Sequence, residues 1–333
     1  MEIESLQKYL YWAPGIQWEI REKTLVIASV RFPEDYSQLF PDFYYKACRG
    51  LREEMVTEEF PDFSTIRLRR FIAKLKKYQI LTDHIQSVDE LFYMQSRLFQ
   101  PAERFPEDYF QNSENVEKYR LHQIRRQITL PSDTFCIQVR GELPAPEFSE
   151  RTSCRRFQKN RKVGEEQFGG LFRVLSQFPG ESTPRYCYPS AGGLYPIDIY
   201  CFIKENRVEG VKGGLYYFYP VQAQLLWMDE GNDIDPSLHF FPNRVIFESS
   251  AFSVFLVYNA SVSMPKYGDR AYYYGMIDAG IILGYLNLAA TRLGLGCCCI
   301  GEMKNDRIER ALKLNEFQRY LQCIEFGFPD VHT

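Results

Sequence analysis

The spacing of apolar residues along the chain changes several times, and each change marks a predicted element. In residues 17–29, apolar and polar side chains alternate on both sides of Arg21, Glu22 and Lys23, which predicts a two-stranded ribbon. "YYKACRGL" and "STIRLRRFIAKLKKYQIL" read as helices. In the second, Leu68, Phe71, Ile72 and Leu75 fall on one helical face, and Ser64 and Thr65 supply a start signal. A small strand pair with short helices predicts a winged-helix-like domain over residues 1–100. Residues 101–146 carry charged and turn-forming residues and read as a connector, with a helix from about Ser113 to Gln127 and a close at Pro144 and Pro146.

Residues 147–333 read as a second domain of mixed pieces. "IDIYCF" after Pro196 alternates like a strand. "GGLYYFYPVQAQLLWM" reads as a hairpin turning near Pro220 and Val221. Residues 251–262, "AFSVFLVYNASV", read as a buried strand, and residues 321–328 as a last strand. Between these, "RAYYYGMIDAGIILGYLNLAATRLG" predicts one long helix that Gly294 can end. Hairpin, helices and strands together predict an α+β fold built on a layered sheet. The long helix carries Gly275, Ala279, Gly280, Gly284, Ala289 and Ala290. A glycine inside a helix costs ~1 kcal/mol against alanine. The run therefore points to close packing, either in the core or against another helix across a subunit interface.

A length of 333 residues fits about two domains on a prior of ~150 residues each. The net charge of −3 gives no basic field for nucleic acid or a membrane surface. Nine cysteines, an odd number with three adjacent and no CxxC, argue against a disulfide framework and a structural zinc site, and for a reducing cytoplasm. "MEIESLQKYLYW" has no basic region followed by an apolar run, so no secretory signal is expected there. The most apolar stretch lies around residues 276–291, but only 13 residues separate Asp278 from Arg292, too few for the ~20 residues of a membrane span. The four histidines are scattered, and no metal site, P-loop, GxSxG or HExxH occurs.

Four stretches have candidate chemistry. "PSAGGLYP" sets Ser190, Ala191, Gly192 and Gly193 between two prolines and ahead of a strand, where backbone amides can approach a ligand; a tight turn would read the same. "SERTSCRRF" puts Arg151, Ser153 and Arg155 at alternating positions, so an extended segment would point all three one way. Two guanidiniums and a hydroxyl on one side suit a phosphate, although a solvated loop is the ordinary alternative. "MPKYGDRAYYYG" offers Lys266 and Tyr267 between a buried strand and the long helix. A lysine beside an apolar group loses solvation of its charged form and can serve as a general base, while a surface lysine is the ordinary alternative. "RLGLGCCCIGEM" ends the long helix with Gly294, Gly296 and Gly301, and its three cysteines read as small buried residues.

The order of these motifs carries more than any one of them. An Arg-x-Ser-x-Arg start, PSAGGLYP leading into a strand, KYG-x-R before a Gly/Ala-rich helix, and LGLG-x-x-x-IG resemble the nitroreductase-like flavoproteins. The Lys-Tyr pair is similar to that of their azoline dehydrogenase branch, the streptolysin-type and microcin-type oxidases that mature thiazole and oxazole peptides. The resemblance covers about residues 147–330. It implies a nitroreductase-like mixed sheet flanked by helices, FMN as cofactor, and a homodimer with FMN at the subunit interface. By position it implies that Arg151, Ser153 and Arg155 hold the phosphate and ribityl chain, that Ser190, Ala191, Gly192 and Gly193 pass beside the ring, and that Cys299, Ile300 and Gly301 lie near N5. Asn287 is a further cofactor candidate, and Lys266 and Tyr267 match the catalytic pair. Relatives place a basic cluster near the C-terminus on the phosphate; "FGFPDVHT" has none, leaving Arg307 or Arg310 as substitutes.

The implied reaction is FMN-dependent oxidation of a peptidyl thiazoline or oxazoline, ribosomal or nonribosomal, with a cyclodehydratase complex as partner. An NAD(P)H-dependent nitroreductase of small aromatics and a noncatalytic scaffold in a synthetase complex are the alternatives. A DNA-binding role fits the negative net charge least. In such systems a winged-helix-like module binds a leader peptide or partner protein, and the basic residues Arg67, Arg69, Arg70, Lys74, Lys76 and Lys77 suit that role or a solvated face.

Overall fold

A computed structural model describes residues 9–13, 16–28, 30–88, 90–91, 105–106, 108–125, 138–180, 183–268 and 270–330. The first eight residues, Cys136 and His332, all weighed in the sequence, lie outside these, as does much of the connector expected at 101–146.

In the N-terminal part, β1 (Tyr9–Trp12) pairs with β5 (Leu51–Arg52) and β6 (Leu81–Thr82), while β2 (Trp18–Arg21), β3 (Thr24–Ile27) and β4 (Val30–Phe32) form a second antiparallel sheet. The expected two-stranded ribbon thus has a third strand. Its first turn uses Glu22 and Lys23, both at positive φ, which matches the twist of the flanking strands. Helices α1 (Glu34–Ala47) and α2 (Thr65–Lys77) pack over these strands. The four apolar positions that predicted α2, Leu68, Phe71, Ile72 and Leu75, are the ones it buries, against Phe40 and Phe43 of α1 among others. Ser64 stands at the N-cap, but its side chain makes no capping bond. A connector helix, α3 (Ser113–Ile124), starts at Asn112, whose side chain accepts from the amides of Glu114 and Asn115.

After α4 (Glu165–Arg173) and a small ribbon of β7 (Gln177–Phe178) and β8 (Arg185–Tyr186), the chain builds its main sheet. The strands are β9 (Ile197–Ile203), β10 (Gly214–Tyr219), β11 (Gln224–Asp229), β12 (Phe252–Asn259), β13 (Gly296–Ile300) and β14 (Gln318–Gly327), in the order β11-β10-β9-β12-β14-β13. All ladders between these strands are antiparallel; among the described residues, parallel bridges join Ser153 to Cys297 at the β13 edge and Val163 to Val208. Because side chains alternate along a strand, β12 splits between two cores. Val254, Leu256 and Tyr258 meet one, Phe255 and Val257 the other. The first core is covered by the long helix α7 (Arg270–Arg292) through Ala279, Ile282, Leu286 and Ala290. The second is covered by α5 (Phe241–Ser249) and α8 (Asn305–Ala311). Gly275 lets α7 close on the sheet, since a methyl group there would stand 2.5 Å from the Tyr258 ring.

Two boundaries differ from the sequence expectation. The strand read through residue 262 stops at Asn259, whose side chain accepts from the Ser261 amide and starts a helix, α6 (Ala260–Tyr267). The three adjacent cysteines form the edge strand β13, with Cys297 and Cys298 buried and Cys299 exposed.

Candidate active site

The small residues of "PSAGGLYP" form a tight turn pinned from beneath. Ser190 donates to Asp278 of α7 at 2.5 Å, and the Ala191 amide donates to the other carboxylate oxygen at 3.3 Å. The Tyr195 amide donates to the Ser190 hydroxyl at 2.9 Å. Gly192, Gly193 and Tyr195 all take positive φ, at 62°, 67° and 52°. For tyrosine that conformation is strained and needs support from its surroundings. The Tyr195 ring stacks on Tyr186 with centroids 3.9 Å apart. Asp278 is 2% exposed, and burial pushes its carboxyl above the ordinary range against the pull of the two hydrogen bonds.

The glycines do allow a close approach. What lies against Gly192 in this chain is the Lys266–Tyr267 pair: a methyl group there would overlap the Tyr267 hydroxyl and stand 2.7 Å from Lys266 Nζ. Both residues sit in the last turn of α6, and Gly268 ends it at φ 57°. The pair is therefore presented by a helix end, rather than by the loop after a strand. Lys266 is exposed with Nζ 5.1 Å from the Tyr267 ring centroid, and Tyr267 packs edge-on to Tyr274. Beside Gly193 there is open space.

A second group of candidates gathers at β13. Asn287 donates to the Leu283 carbonyl at 2.8 Å and towards Cys299 Sγ at 3.7 Å, and accepts from the Cys297 thiol at 3.2 Å. Burial and the neighbouring thiols push Cys297 up to about 12. Ile300 is buried, and Gly301 is exposed with open space where a side chain would be. Arg151, Ser153 and Arg155 are all exposed on one extended segment, which is anchored by the bond from the Cys154 amide to the Cys297 carbonyl at 2.9 Å. Arg292, at the end of α7, holds Glu147 just ahead of it at 2.5 Å. Ser153 and Arg155 border a groove of about 610 Å³ with Arg156, Thr291, Gly296 and Asp330. Arg307 and Arg310, the candidate substitutes on the phosphate side, are not among its walls.

The two groups flank α7. Asp278 and Asn287 are nine residues apart, about two and a half turns, so they leave the helix on opposite sides. The face between them is exposed: Tyr273, Ile277, Gly280 and Gly284, with open space beside both glycines. Asp278, which sequence reasoning used only as a boundary of the apolar stretch, holds the turn. Its signal was a lone acid in an apolar helix. Tyr186 and Tyr195 were also missed; nothing in their spacing reveals the stack.

The structure thus brings a glycine turn with open space at Gly193 against an exposed lysine and a tyrosine, and places Ser153, Arg155 and Arg156 on a groove whose walls do not include Arg151. The nitroreductase family model matches residues 148–328. The chain belongs to the nitroreductase family. A protein of Methanocaldococcus jannaschii named as a nitroreductase is 30% identical over 138 residues, which are 41% of this chain and 68% of that protein. Indigoidine synthase of Dickeya dadantii is 26% identical over 156 residues, 45% of this chain but 9% of that protein. Among solved structures, a chain of the E. coli microcin synthetase McbBCD complex with truncated pro-MccB17 bound has the same fold. It superposes with a TM-score of 0.54 at 16% identity, over 83% of this nitroreductase-family chain and 98% of that one. Among the described residues no helix is long and apolar enough to cross a membrane.

Proposed function

We propose that this nitroreductase-family oxidoreductase is an FMN-dependent azoline dehydrogenase, which oxidises peptidyl thiazolines or oxazolines to the aromatic rings. The observation that carries the reading is the packing of Lys266 and Tyr267 against Gly192 of the Ser190–Gly193 turn. Aromatising an azoline removes one proton and one hydride. A bound FMN supplies the hydride acceptor. This chain's own part is the proton: Lys266 Nζ or Tyr267 Oη takes it from the ring Cα, held beside the turn by the end of α6. Ser190, Ala191, Gly192 and Gly193 would lie beside the flavin ring, with the open space at Gly193 facing it. Cys299, Ile300, Gly301 and Asn287 would stand at its edge. Arg151, Ser153 and Arg155 would take the phosphate.

The two groups lie on opposite flanks of α7 with an exposed apolar stripe between them. That arrangement supports a homodimer in which a second copy covers Tyr273, Ile277, Gly280 and Gly284 and completes the site. The N-terminal domain is proposed to bind a peptide leader or a cyclodehydratase partner. Its basic helix pairs Arg67 with Asp35 and Lys76 with Glu53 and Asp83, and leaves Arg69, Arg70 and Lys77 exposed, Arg69 on the wall of a groove of about 530 Å³. The setting is proposed to be the reducing cytoplasm.

The deciding experiment is a visible spectrum of the purified protein, followed by anaerobic addition of a synthetic thiazoline peptide. Flavin bands near ~450 nm that bleach on the azoline alone support the reading. Bands that bleach only with NADPH would make the chain a nitroreductase of small aromatics. A protein that takes up no FMN would be a scaffold.

A further inference from the structure

A carboxylate in an apolar helix is expensive to bury unless something holds it there. Asp278 is 2% exposed on the face of α7 that meets the turn, and the neighbours that satisfy it are both on that turn: Ser190 Oγ at 2.5 Å and the Ala191 amide at 3.3 Å. The Ser190 hydroxyl also accepts from Tyr195 at 2.9 Å, so one side chain fixes both ends of the segment. Between those ends Gly192 and Gly193 take positive φ, and Tyr195, the far end, takes it too. A turn of this kind needs its geometry imposed from outside. Gly192, in its middle, carries the contact with Lys266 and Tyr267, and these residues end α6 twelve and eleven positions before Asp278. The carboxylate thus closes a loop of contacts that runs from α7 to the turn, to the end of α6, and back into α7.

We propose that Asp278 is the positioning residue of this site: through Ser190 and Ala191 it imposes the left-handed turn, and through Gly192 it sets where Lys266 Nζ and Tyr267 Oη stand. The catalytic consequence rests on the function proposed above; the geometric one does not. Asp278→Asn keeps the shape but leaves either the Ser190 hydroxyl or the Ala191 amide facing an NH2 group in place of an acceptor. Ser190→Ala keeps the carboxylate and removes the link.

The test compares both variants with wild type by amide hydrogen exchange and by the rate at which a water-soluble acylating reagent modifies Lys266, read by mass spectrometry on the protein without added flavin. Exchange at residues 191–195 is expected to rise about tenfold or more in both variants, with β12 unchanged, because the lost bonds protect only the turn. The Lys266 modification rate is expected to shift by about threefold or more. With FMN and azoline, kcat should fall about tenfold with KM within about threefold, the pattern of a misplaced base rather than lost binding. If exchange in the turn and modification of Lys266 both stay at wild-type values in Ser190→Ala, the proposal is overturned, and this holds even if Asp278→Asn fails to fold. A protein that takes up no FMN would remove the functional reading while the exchange and labelling results still decide the role of Asp278.

Discussion

Asp278 stands on the α7 face of the main sheet and Glu325 on the α5 and α8 face, and burial pushes both carboxyls above their ordinary range. Their surroundings differ in kind. Glu325 is 0% exposed and accepts from Ser250 at 2.6 Å, Ser253 at 2.8 Å and the Cys323 thiol at 3.4 Å. Nearby, Lys204 donates to the Phe247 carbonyl, to the Ser250 carbonyl at 3.2 Å and to the Ser250 hydroxyl at 2.8 Å, which places a cation on the C-terminal end of α5. These partners belong to the sheet and to elements packed on it, so Glu325 holds the fold together. The partners of Asp278 belong to an exposed turn, so it holds a surface that faces the Lys266–Tyr267 pair. The polar interior of one face serves stability, and that of the other serves the site proposed above.

The largest effect that would break this contrast is at Lys266. Lys266→Ala should slow azoline-driven bleaching of the flavin by about 10²- to 10⁴-fold, the range for loss of a general base. The side chain is exposed, so the urea midpoint should stay near wild type. Bleaching at the wild-type rate with FMN bound would remove Lys266 from the chemistry. Next comes Glu325→Ala, which leaves two buried hydroxyls and a thiol without their acceptor. It should cost about 3 kcal/mol or more in urea unfolding, at ~1–3 kcal/mol for each buried group left unsatisfied. The folded fraction should still bind FMN. A loss of flavin affinity out of proportion to unfolding would mean that the two faces are not independent.

A smaller effect is expected at Gly192, because it combines backbone strain with a local clash. Gly192→Ala puts a side chain at φ 62° and a methyl group into Tyr267 and Lys266. Turnover should fall about tenfold, as a displaced base predicts, with a stability cost of about 1–2 kcal/mol. Gly193→Ala has the same sign of φ but open space, so it is the control. Equal losses in both variants would assign the effect to strain alone.

These predictions rest unevenly on what the sequence shows. The long helix, the hairpin of β10 and β11, and the buried stripe Leu68, Phe71, Ile72 and Leu75 were legible because each is a periodic pattern contained in one segment. The start of α6 was not, since Ala260, Ser261 and Val262 continue an apolar run and the cap at Asn259 is the sole break. The proximity of Lys266 to the PSAGG turn entered through a resemblance of ordered motifs and not through any spacing. The role of Asp278 was hidden for a plainer reason: its partner Ser190 is 88 residues away, and no local pattern records a hydrogen bond across that distance. Glu325 was invisible likewise, reading as one acid in an apolar strand.

The last effect is the smallest and separates the two faces by pH. His239 is fully buried beside Glu325, with its Nε2 3.9 Å from Oε1, both ring nitrogens without a hydrogen bond among the described residues, and its ring on Phe247. Burial first, then the charge of Lys204, lowers its pKa from 6.5 to about 4. The unfolded chain therefore binds a proton between pH 6.5 and 4 that the folded chain refuses, so stability rises with pH through that window and is lost as pH falls through it. Glu325 works in the opposite direction: its raised pKa contributes stability below the ordinary carboxylate range that is lost as pH rises. The raw curve mixes the two, so the informative quantity is the difference between wild type and His239→Gln. From pH 7 to pH 4.5 the wild type should lose stability relative to the variant, by at most about 3 kcal/mol. At each pH the protection of residues 191–195 against exchange should be the same in wild type and His239→Gln, because His239 lies across the sheet from the turn. A difference that runs the other way, with the wild type gaining stability on the variant as pH falls, would mean that His239 takes up a proton in the folded protein and pairs with Glu325. The α5 and α8 face would then hold a true buried ion pair, in contrast to the unpaired carboxylate at Asp278.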